Sequence, residues 1–478
     1  MAKVKVLVVG GGGSGGSPFH VGHAGGGGGG GGYVYNSYFN ITKQNYSVVV
    51  GLGGVAPNQP SSGVSGGPSS FSSITANGGG GGGAGGAGGN GGCGGGGSCP
   101  FDGTSAGGVG SQGKNGGSGM GGPNSVVFMS ASGGGGGAST NGTNGVLVMG
   151  ASATAGNGGA GTYNDISGTG KYYAGGGGGA AYYSGVAVYQ GAGGTGGGGA
   201  ANNPGTANTG GGGGGSTSQG ATGGSGVVVI RYLTADFGTC TGGTKTTDGD
   251  YTVHTFLSSG TFASNPKPEV STSAPSNVYI KKINATGNII DAGGTVTERG
   301  FCYITGTTGD PDISDDKVFE TGSYSAGTYS KEITGLTDGI YYRVRAYATN
   351  DIGTSYGSTI TVKTTGVTTK AETDLKITKL IANGTISASQ AVVCTRRGFC
   401  YKVGTTGDPT TSDSVVYDDG SFSIGNYSKA ITDLTADTSY RLSAYVVDSS
   451  GTAYGDTIQV VTKAKPTSSG SFIALLNR

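Results

Sequence analysis

The sequence contains no tryptophan, few charged residues and no long apolar run. Charged residues make up 11% of the 478 residues, against about a quarter in ordinary soluble domains, and the formal net charge is +1. A chain with this balance and no basic run lacks the electrostatic footprint of a nucleic-acid-binding protein. Its apolar runs have the length of single β-strands, which excludes a membrane-spanning helix. We therefore expect neither nucleic-acid partners nor insertion into a membrane.

Acidic residues are also scarce, and the first of them is Asp102. This bears on the opening stretch MAKVKVLVVGGGGSGGS, where Gly10, Gly12 and Gly15 have the GxGxxG spacing of a dinucleotide site. That fingerprint also needs a helix after the glycines and an acidic residue about 20 positions later. Pro18 and continuous glycine follow instead. The stretch therefore predicts a strand that enters polyglycine, and we expect no cofactor.

Candidate ligands for metals and catalysis are few and scattered. His20 and His23 form an HxxH pair without a nearby acid or thiol, and loop residues are the simpler interpretation. Oxygen ligands for Ca²⁺ could come from Asp310, Asp312, Asp315, Asp316, Asp418 and Asp419, although solvated loops explain them as well. No plausible pair of catalytic carboxylates occurs in the first region. We predict no metal site and no enzymatic activity.

The cysteines are too sparse for a disulfide framework in a chain of this length. They are Cys93, Cys99, Cys240, Cys302, Cys394 and Cys400. A local Cys93–Cys99 pair is possible in principle, but we expect reduced thiols.

Glycine contributes 112 residues, concentrated in runs that are broken by short apolar segments. A flexible linker would be the simplest interpretation of such runs. Disorder, however, is favoured by charge and by a lack of apolar residues, whereas residues 1–235 contain only eight charged side chains. They also contain six strand-like segments, KVLVV, YSVVV, SVVFM, GVLVM, GVAVY and SGVVVIRY. Such a tract would collapse, and the question is what holds the collapsed state together.

Backbone hydrogen bonding between glycine runs can hold it. Extended left-handed helices with three residues per turn have no internal hydrogen bonds, so each N–H and C=O group points to a neighbour. Only glycine lets such backbones approach on all sides. Collagen is excluded because its glycine recurs strictly every third residue, whereas residues 25–32 are continuous glycine. The runs predict a bundle of polyglycine II helices.

Two copies of one module follow the glycine-rich region. RGFCYITGTTGDP recurs as RGFCYKVGTTGDP at an offset of 98, and the following hairpins recur at the same offset without a gap. Short strands separated by turn residues are typical of a β-sandwich. Tyr342 and Tyr440 each follow a leucine by six positions just before a strand, the place of a tyrosine corner. The tryptophan of the second strand is missing, so another residue must fill that part of the core.

These motifs carry two resemblances. VLVVGGGGSGG, YSVVVGLGG and DGDYTVHTFLSSGTF resemble the glycine-rich domain of phage tail proteins and adhesins, in which polyglycine helices pack as a sandwich and loops at the distal end contact the host receptor. The repeats resemble fibronectin type III domains, an Ig-like fold. The resemblance implies a mainly β and irregular chain with almost no α-helix. The predicted divisions are a glycine-rich domain (1–263), a linker (264–274), two sandwiches (275–365 and 366–463) and a tail (464–478).

Aromatic clusters are the best candidates for receptor binding, because tyrosine offers a rigid apolar face with a polar tip. They are Tyr33, Tyr35, Tyr38, Phe39, Tyr172, Tyr173, Tyr182 and Tyr183. The alternative is that these rings cover the glycine bundle.

The resemblance implies a phage virion protein, a tail fibre or tip adhesin that binds a host surface glycan or outer-membrane protein without catalysis. Other virion proteins and further copies of the chain are the expected partners. The alternative is a bacterial extracellular adhesin or filament subunit. A chain that leaves the cell by lysis needs no signal peptide, and the N-terminal apolar segment is too short to be one. The apolar stretch Phe472 to Leu476 could dock as an added strand.

Overall fold

The computed structural model describes residues 2–20, 22–58, 60–98, 102–122 and 129–467. The chain divides into two compact units, Met1–Pro266 and Lys267–Arg478. Within the described residues both units consist of strands and extended backbone, with one short 3-10 turn at Thr234–Asp236 and no α-helix. The predicted mainly β and irregular fold class is confirmed.

Short strands cap the glycine runs of the first unit. They are β1 (Ala2–Val9), β2 (Tyr33–Ile41), β3 (Asn45–Val49), β4 (Ser69–Phe71), β5 (Ile74–Ala76), β6 (Gly103–Ser105), β7 (Gly119–Gly121), β8 (Met129–Ala131), β9 (Val146–Val148), β10 (Ser152–Thr154), β11 (Thr162–Asn164), β12 (Lys171–Tyr173), β13 (Ala181–Tyr183), β14 (Ala187–Tyr189), β15 (Val227–Leu233), β16 (Thr244–Asp248), β17 (Tyr251–Phe256) and β18 (Gly260–Ala263). Five of the six predicted segments contain a strand. Most of the sixth, SVVFM, lies outside the described residues.

The hydrogen bonds of residues 25–32 repeat every three residues. Gly25, Gly28 and Gly31 donate their N–H groups to a single neighbour, residues 210–216, at 2.8 Å in each case. The next residue of each triplet donates to residues 77–83, and the third donates to residues 133–136. A backbone with three residues per turn presents its donors in this order. The periodicity confirms the predicted polyglycine II helices.

The same segment accepts hydrogen bonds from three other neighbours. These are residues 10–16, 93–96 and 177–180. Because six segments surround one helix, its backbone groups find backbone partners on every side. The carbonyl oxygen of Gly31 is an exception, since it accepts from Cys93 Sγ at 3.3 Å. The bundle therefore satisfies its buried polar groups mainly with backbone, as a buried segment must.

Close approach explains why glycine fills these positions. A Cβ atom added to Gly28 would lie 2.1 Å from the carbonyl oxygen of Gly13, and one added to Gly31 would lie 2.0 Å from that of Gly10. These separations are far inside van der Waals contact, and the obstructing atoms are backbone. At these positions no side chain can be accommodated without moving a neighbouring helix.

A five-stranded sheet of order β16-β17-β15-β1-β2 lies at one end of the bundle. Alternation along β1 sends Val4, Val6 and Val8 to one face, where they pack with Phe71 and Phe262 from the sheet of order β18-β3-β4-β5. The opposite face carries a second apolar cluster that includes Leu7, Val9, Val229, Ile166 and Tyr173. The apolar side chains of these clusters thus pack where the glycine runs end, whereas the buried Ser14 hydroxyl, within the run of residues 10–16, accepts a hydrogen bond from the N–H group of Val64.

The second unit contains the repeated module. Its first copy comprises β19 (Glu269–Ser273), β20 (Lys282–Asp291), β21 (Val296–Thr305), β22 (Asp316–Tyr324), β23 (Gly327–Thr334), β24 (Tyr341–Thr349), β25 (Thr354–Tyr356) and β26 (Ile360–Lys363). Its second copy comprises β27 (Gly366–Thr373), β28 (Leu380–Ser387), β29 (Cys394–Val403), β30 (Ser414–Phe422), β31 (Gly425–Ile431), β32 (Ser439–Asp448), β33 (Gly451–Tyr454) and β34 (Ile458–Val461). Residues 269–273, which we expected in a linker, form the first strand because they pair with β20.

Both copies are two-sheet sandwiches with the same strand order. A sheet of order β19-β20-β23 faces a sheet of order β22-β21-β24-β25, and the second copy repeats this arrangement. The hydroxyl oxygen of Tyr342 accepts a hydrogen bond from the N–H group of Thr337 at 3.0 Å, and Tyr440 does the same for Thr435 at 2.8 Å. The predicted tyrosine corners are confirmed, and with them the fibronectin type III-like fold.

A tyrosine replaces the missing tryptophan. The ring of Tyr329 fills the space above Gly287 on β20, because a Cβ atom there would lie 2.9 Å from the ring. Its hydroxyl donates to the carbonyl oxygen of Tyr347 at 2.8 Å. Tyr427 and Gly384 form the same pair in the second copy. The two glycines are 97 residues apart in the sequence, whereas the two tyrosines are 98 apart. The second copy therefore has one additional residue between its second and third strands.

The two sandwiches share a junction inside the second unit. The side chain of Ile280, from the first copy, is fully buried in the core cluster of the second copy. Its N–H group donates to a carboxylate oxygen of Asp448 at 2.7 Å, and Val278 forms a β-bridge with Val392. A residue of one sandwich is therefore part of the core of the next.

Candidate functional site

Each glycine run connects two ends of the first unit. At the sheet end, Gly10 and Gly32 continue directly into β1 and β2. At the opposite loop end, the carbonyl oxygen of Ala24 accepts hydrogen bonds from Ser98 Oγ at 2.6 Å and Ser132 Oγ at 2.7 Å. A run of seven residues with three residues per turn is about 20 Å long. Surfaces at the two ends are therefore separate.

The predicted aromatic clusters fall at different ends. Tyr172 and Tyr173 precede residues 174–180 at the sheet end, whereas Tyr182 and Tyr183 follow that run at the loop end. The run itself is part of the bundle, since the N–H group of Ala180 donates to Gly25. The structure does not bring the two pairs together into one site.

The segment YVYNSYF forms β2, an edge strand at the sheet end. Tyr35 and Tyr38 are 40% and 72% exposed, while Tyr33 is half-buried. The hydroxyl oxygen of Tyr33 accepts a hydrogen bond from Asn164 Nδ2 at 2.8 Å. Burial raises the pKa of the Tyr33 hydroxyl, so the neutral donor form is retained at physiological pH. This strand supplies the most accessible of the predicted rings.

Other predicted rings are part of the core. Phe39 is half-buried with its ring centroid 5.3 Å from that of Phe71, and Tyr173 is fully buried. Tyr183 is 9% exposed, and its hydroxyl oxygen accepts a hydrogen bond from the N–H group of Gly150 at 2.9 Å. Tyr182 is half-buried. The positions of these residues agree better with the alternative, in which the rings cover the glycine bundle, than with direct contact to a receptor.

Tyr163 belongs with Tyr172 but was not among the predicted residues. The two are register partners on β11 and β12, with ring centroids 5.4 Å apart, and they are 56% and 49% exposed. Tyr163 stands alone in the sequence GTYND, so no local cluster indicated it. The pairing across the hairpin could be recognised only from the register.

A second feature that the sequence did not indicate is an apolar face at the loop end. Val146, Val148 and Tyr189 are 49%, 50% and 58% exposed. The sheet of order β14-β10-β9 places all three on one side, since Val146 and Tyr189 are both register partners of Thr154. We call these three side chains the loop-end apolar face. Alternation predicted the strands, but not which side faces solvent.

Groups with metal-binding chemistry are engaged in local structure. Asp310 accepts a hydrogen bond from Arg343 at 2.8 Å. Asp312 accepts from the hydroxyl and the N–H group of Ser314, which lowers the pKa of the Asp312 carboxyl group. Asp419 pairs with Arg396 at 2.6 Å. In the part of the chain that the structure describes, no group of three or more His, Cys, Asp or Glu side chains could hold a metal ion.

The described cysteines are free and buried: Cys93, Cys240, Cys302, Cys394 and Cys400. Burial raises the pKa of the Cys93 thiol to about 12, which keeps it protonated and unreactive. Cys99, the alternative partner of Cys93, lies outside the described residues.

The fold defines the class of protein: a glycine-rich domain of packed polyglycine helices precedes two fibronectin type III-like sandwiches. Residues 1–233 match the family model described as a glycine-rich domain. The resemblance of the first region to a glycine-rich domain is thereby confirmed. No curated protein matches the chain.

Solved structures that resemble the chain contain tandem fibronectin type III domains. One is a two-domain segment from chicken tenascin, which is 16% identical, has a TM-score of 0.18 and covers 41% of this chain and 99% of that chain. Another contains the FN1–FN3 domains of chicken CNTN1, which is 13% identical, has a TM-score of 0.18 and covers 52% of this chain and 80% of that chain. Among the residues that the structure describes, no helix has the length and hydropathy to cross a bilayer.

Proposed function

We propose that the chain is a phage virion protein, a tail fibre or tip adhesin, that binds the host surface without catalysis. The observation that carries this proposal is the loop-end apolar face, which is exposed to solvent at one end of the closely packed, hydrogen-bonded bundle. A patch of exposed apolar side chains on a stiff support is typical of a protein interaction site. Other virion proteins and further copies of this chain are the partners, and the virion surface is the location.

The loop-end apolar face is the proposed contact with the host receptor. Val146, Val148 and Tyr189 are held in fixed positions because Leu147, Ala153 and Val188, on the inner side of the same sheet, pack into a core. An interface of preordered side chains loses less conformational entropy on binding than one built on mobile loops. An outer-membrane protein with a complementary apolar surface fits this face.

Adsorption of phage particles to their host cells tests the proposal. We expect the double substitution V146S and V148S to lower the adsorption rate constant by about tenfold, since the interface with the receptor loses two apolar contacts. V109S is a matched control, because Val109 is 57% exposed but lies beside Gly91, away from the loop end. Equal adsorption of the double variant and the control would contradict the proposed contact.

Mass spectrometry of purified particles tests the location separately. Detection of the chain in the particle supports the virion role. Its absence there, together with its presence in a bacterial surface fraction, would replace that role with the alternative, a bacterial extracellular adhesin or filament subunit.

A further inference from the structure

Charged side chains are concentrated on the face of the five-stranded sheet that also carries Leu7 and Val9, next to that apolar cluster. Lys5 and Arg231 are register partners on β1 and β15, which places their side chains on one side of the sheet. Lys3 lies two residues before Lys5 and therefore faces the same way. Residues 1–235 contain only eight charged side chains. Three of these eight charged side chains, all of them cationic, therefore lie on one face of this sheet.

The cation of Arg231 is already neutralised. Its guanidinium group lies 2.5 Å from the Asp248 carboxylate and 4.3 Å from the ring centroid of Tyr251. Its side chain is only 14% exposed, so a ligand cannot easily replace these contacts. Arg231 therefore serves to hold the sheet face and Tyr251 in place.

The two lysines have no carboxylate partner within ion-pair distance among the described residues. Lys3 Nζ lies 5.7 Å from the ring centroid of Tyr38, and Lys5 Nζ lies 5.7 Å from that of Tyr251. Lys3 is exposed and Lys5 half-exposed. Both ammonium groups can therefore receive an anion from solvent while their alkyl chains rest beside aromatic rings.

The adjacent edge strand supplies an aromatic platform. Tyr38 is 72% exposed, and its N–H group donates to the Asn36 side chain at 2.8 Å. This contact lies where β1 and β2 lose register, between Val4 and Val6. A β-bulge of this kind changes the direction in which a side chain points. Tyr35, 40% exposed, extends the aromatic surface along β2.

We infer that Lys3, Lys5, Tyr35 and Tyr38 form a binding face for acidic glycans. Tyrosine rings stack against the apolar face of a pyranose ring, and the lysine ammonium groups pair with its carboxylate or sulfate. Asp165 lies next to Ile166, whose carbonyl oxygen is 3.5 Å from the guanidinium group of Arg231, and its carboxylate can accept hydrogen bonds from sugar hydroxyl groups.

A polyanion such as nucleic acid fits this face less well. Two lysines provide few phosphate contacts, and the neighbouring Asp165 carboxylate repels a densely charged chain. An acidic saccharide carries its charges further apart, and its hydroxyl groups can donate hydrogen bonds to this carboxylate. The inference is independent of the virion role and of the loop-end apolar face, because it concerns the opposite end of the domain.

Binding of oligogalacturonate to the purified full-length chain, measured by isothermal titration calorimetry, tests the inference. We expect binding that weakens as salt increases, and no comparable binding of a neutral galactan oligomer of equal length. K3A combined with K5A should reduce the affinity by about tenfold, and Y38A by a similar factor. None of these three side chains is buried, so the melting temperature should be unchanged, and that measurement confirms that each variant is folded.

Y341A is the matched control, because Tyr341 is 44% exposed and also lies beside a lysine, Lys363, but belongs to the first sandwich. It should bind oligogalacturonate as the original chain does. Sulfated galactan distinguishes a preference for sulfate from one for carboxylate, and either preference supports the inference. Equal binding of neutral and acidic oligomers, stronger binding of single-stranded oligonucleotide, or unchanged affinity in both lysine and tyrosine variants would overturn it.

Discussion

In the glycine bundle the buried atoms belong to the backbone, whereas in the two sandwiches they belong to side chains. Gly28 is surrounded by carbonyl oxygens and N–H groups of other runs, while Ile280 is surrounded by the apolar side chains of a sandwich. Backbone hydrogen bonds are directional, and they weaken steeply when donor and acceptor are displaced slightly. Apolar packing tolerates changes of shape more readily. The two regions should therefore respond differently to the same size of substitution.

The largest effect is expected from G28A. The added methyl group would lie 2.1 Å from the carbonyl oxygen of Gly13, and no flexible side chain can move aside. We expect the first unit to lose about 4 kcal/mol or more of its free energy of unfolding, measured by urea denaturation of the full chain. G86A is the control, since a Cβ atom at Gly86 would meet nothing within 4 Å. Equal stability of the two variants would show that the runs are not closely packed.

I280A should have the next largest effect, on the second unit. Removing most of a fully buried isoleucine costs about 2 to 5 kcal/mol, and the loss should appear in the second sandwich, where this side chain is buried. Hydrogen exchange of the full chain measures which sandwich loses protection. Destabilisation of the first sandwich alone would contradict the shared core.

The second copy offers a matched control for this substitution. Ile377 occupies the position of Ile280, because the turn that follows Lys376 is closed by the same backbone hydrogen bond as the turn that follows Tyr279. Ile377 is only half-buried. I377A should therefore lower the free energy of unfolding by only about 1 kcal/mol, since less apolar surface returns to water. An equal loss in the two variants would show that burial in the neighbouring sandwich adds nothing.

Stability of the first unit should depend on pH through His254. Its Nδ1 lies 2.6 Å from the carbonyl oxygen of Gly242, which can only accept, so Nε2 accepts from the Tyr232 hydroxyl at 2.9 Å. Burial lowers the pKa of His254 below 6.5. The unfolded chain therefore binds more protons as pH falls below about 6.5, and the free energy of unfolding decreases by at most about 1.4 kcal/mol per pH unit.

Urea denaturation at pH 7.5, 6.0 and 5.0 checks this dependence. H254Q should reduce it, with the remainder coming from His23, whose pKa burial also lowers. The sandwiches contain no histidine and should not share the trend. An equal slope for both units between pH 7.5 and 5.0 would contradict the assignment to His254.

The smallest effect is expected from Y329F, which removes one hydroxyl group and leaves the ring above Gly287. The hydrogen bond to the Tyr347 carbonyl contributes about 1 kcal/mol to the free energy of unfolding. Y427F should give a similar loss in the second sandwich, where the hydroxyl donates to Tyr445 at 3.2 Å. Thermal unfolding of both variants measures the difference, and a loss above about 3 kcal/mol would show that the ring itself had moved.

The sequence was sufficient to predict the kind of packing in each region but not its arrangement. Continuous glycine, as at residues 25–32, excludes most alternatives to polyglycine helices, and the repeated motifs around Cys302 and Cys400 indicated two similar sandwiches. Which run neighbours which could not be predicted, because one glycine run resembles another. The exposed side of β9, the burial of Phe39 and Tyr173, and the insertion of Ile280 all depend on long-range pairing, for which local patterns carry no signal.

The three-residue repeat of the bundle restricts how its length can change. Deleting one residue from the run Gly25–Gly32 would turn every later N–H group toward a different neighbour, because donors to the same neighbour recur at every third position. Deleting three would shorten the helix by one turn, about 9 Å, and leave each remaining donor aimed at its original partner. Insertions and deletions within the runs of related chains should therefore occur in multiples of three, while the connecting loops are free to vary by single residues.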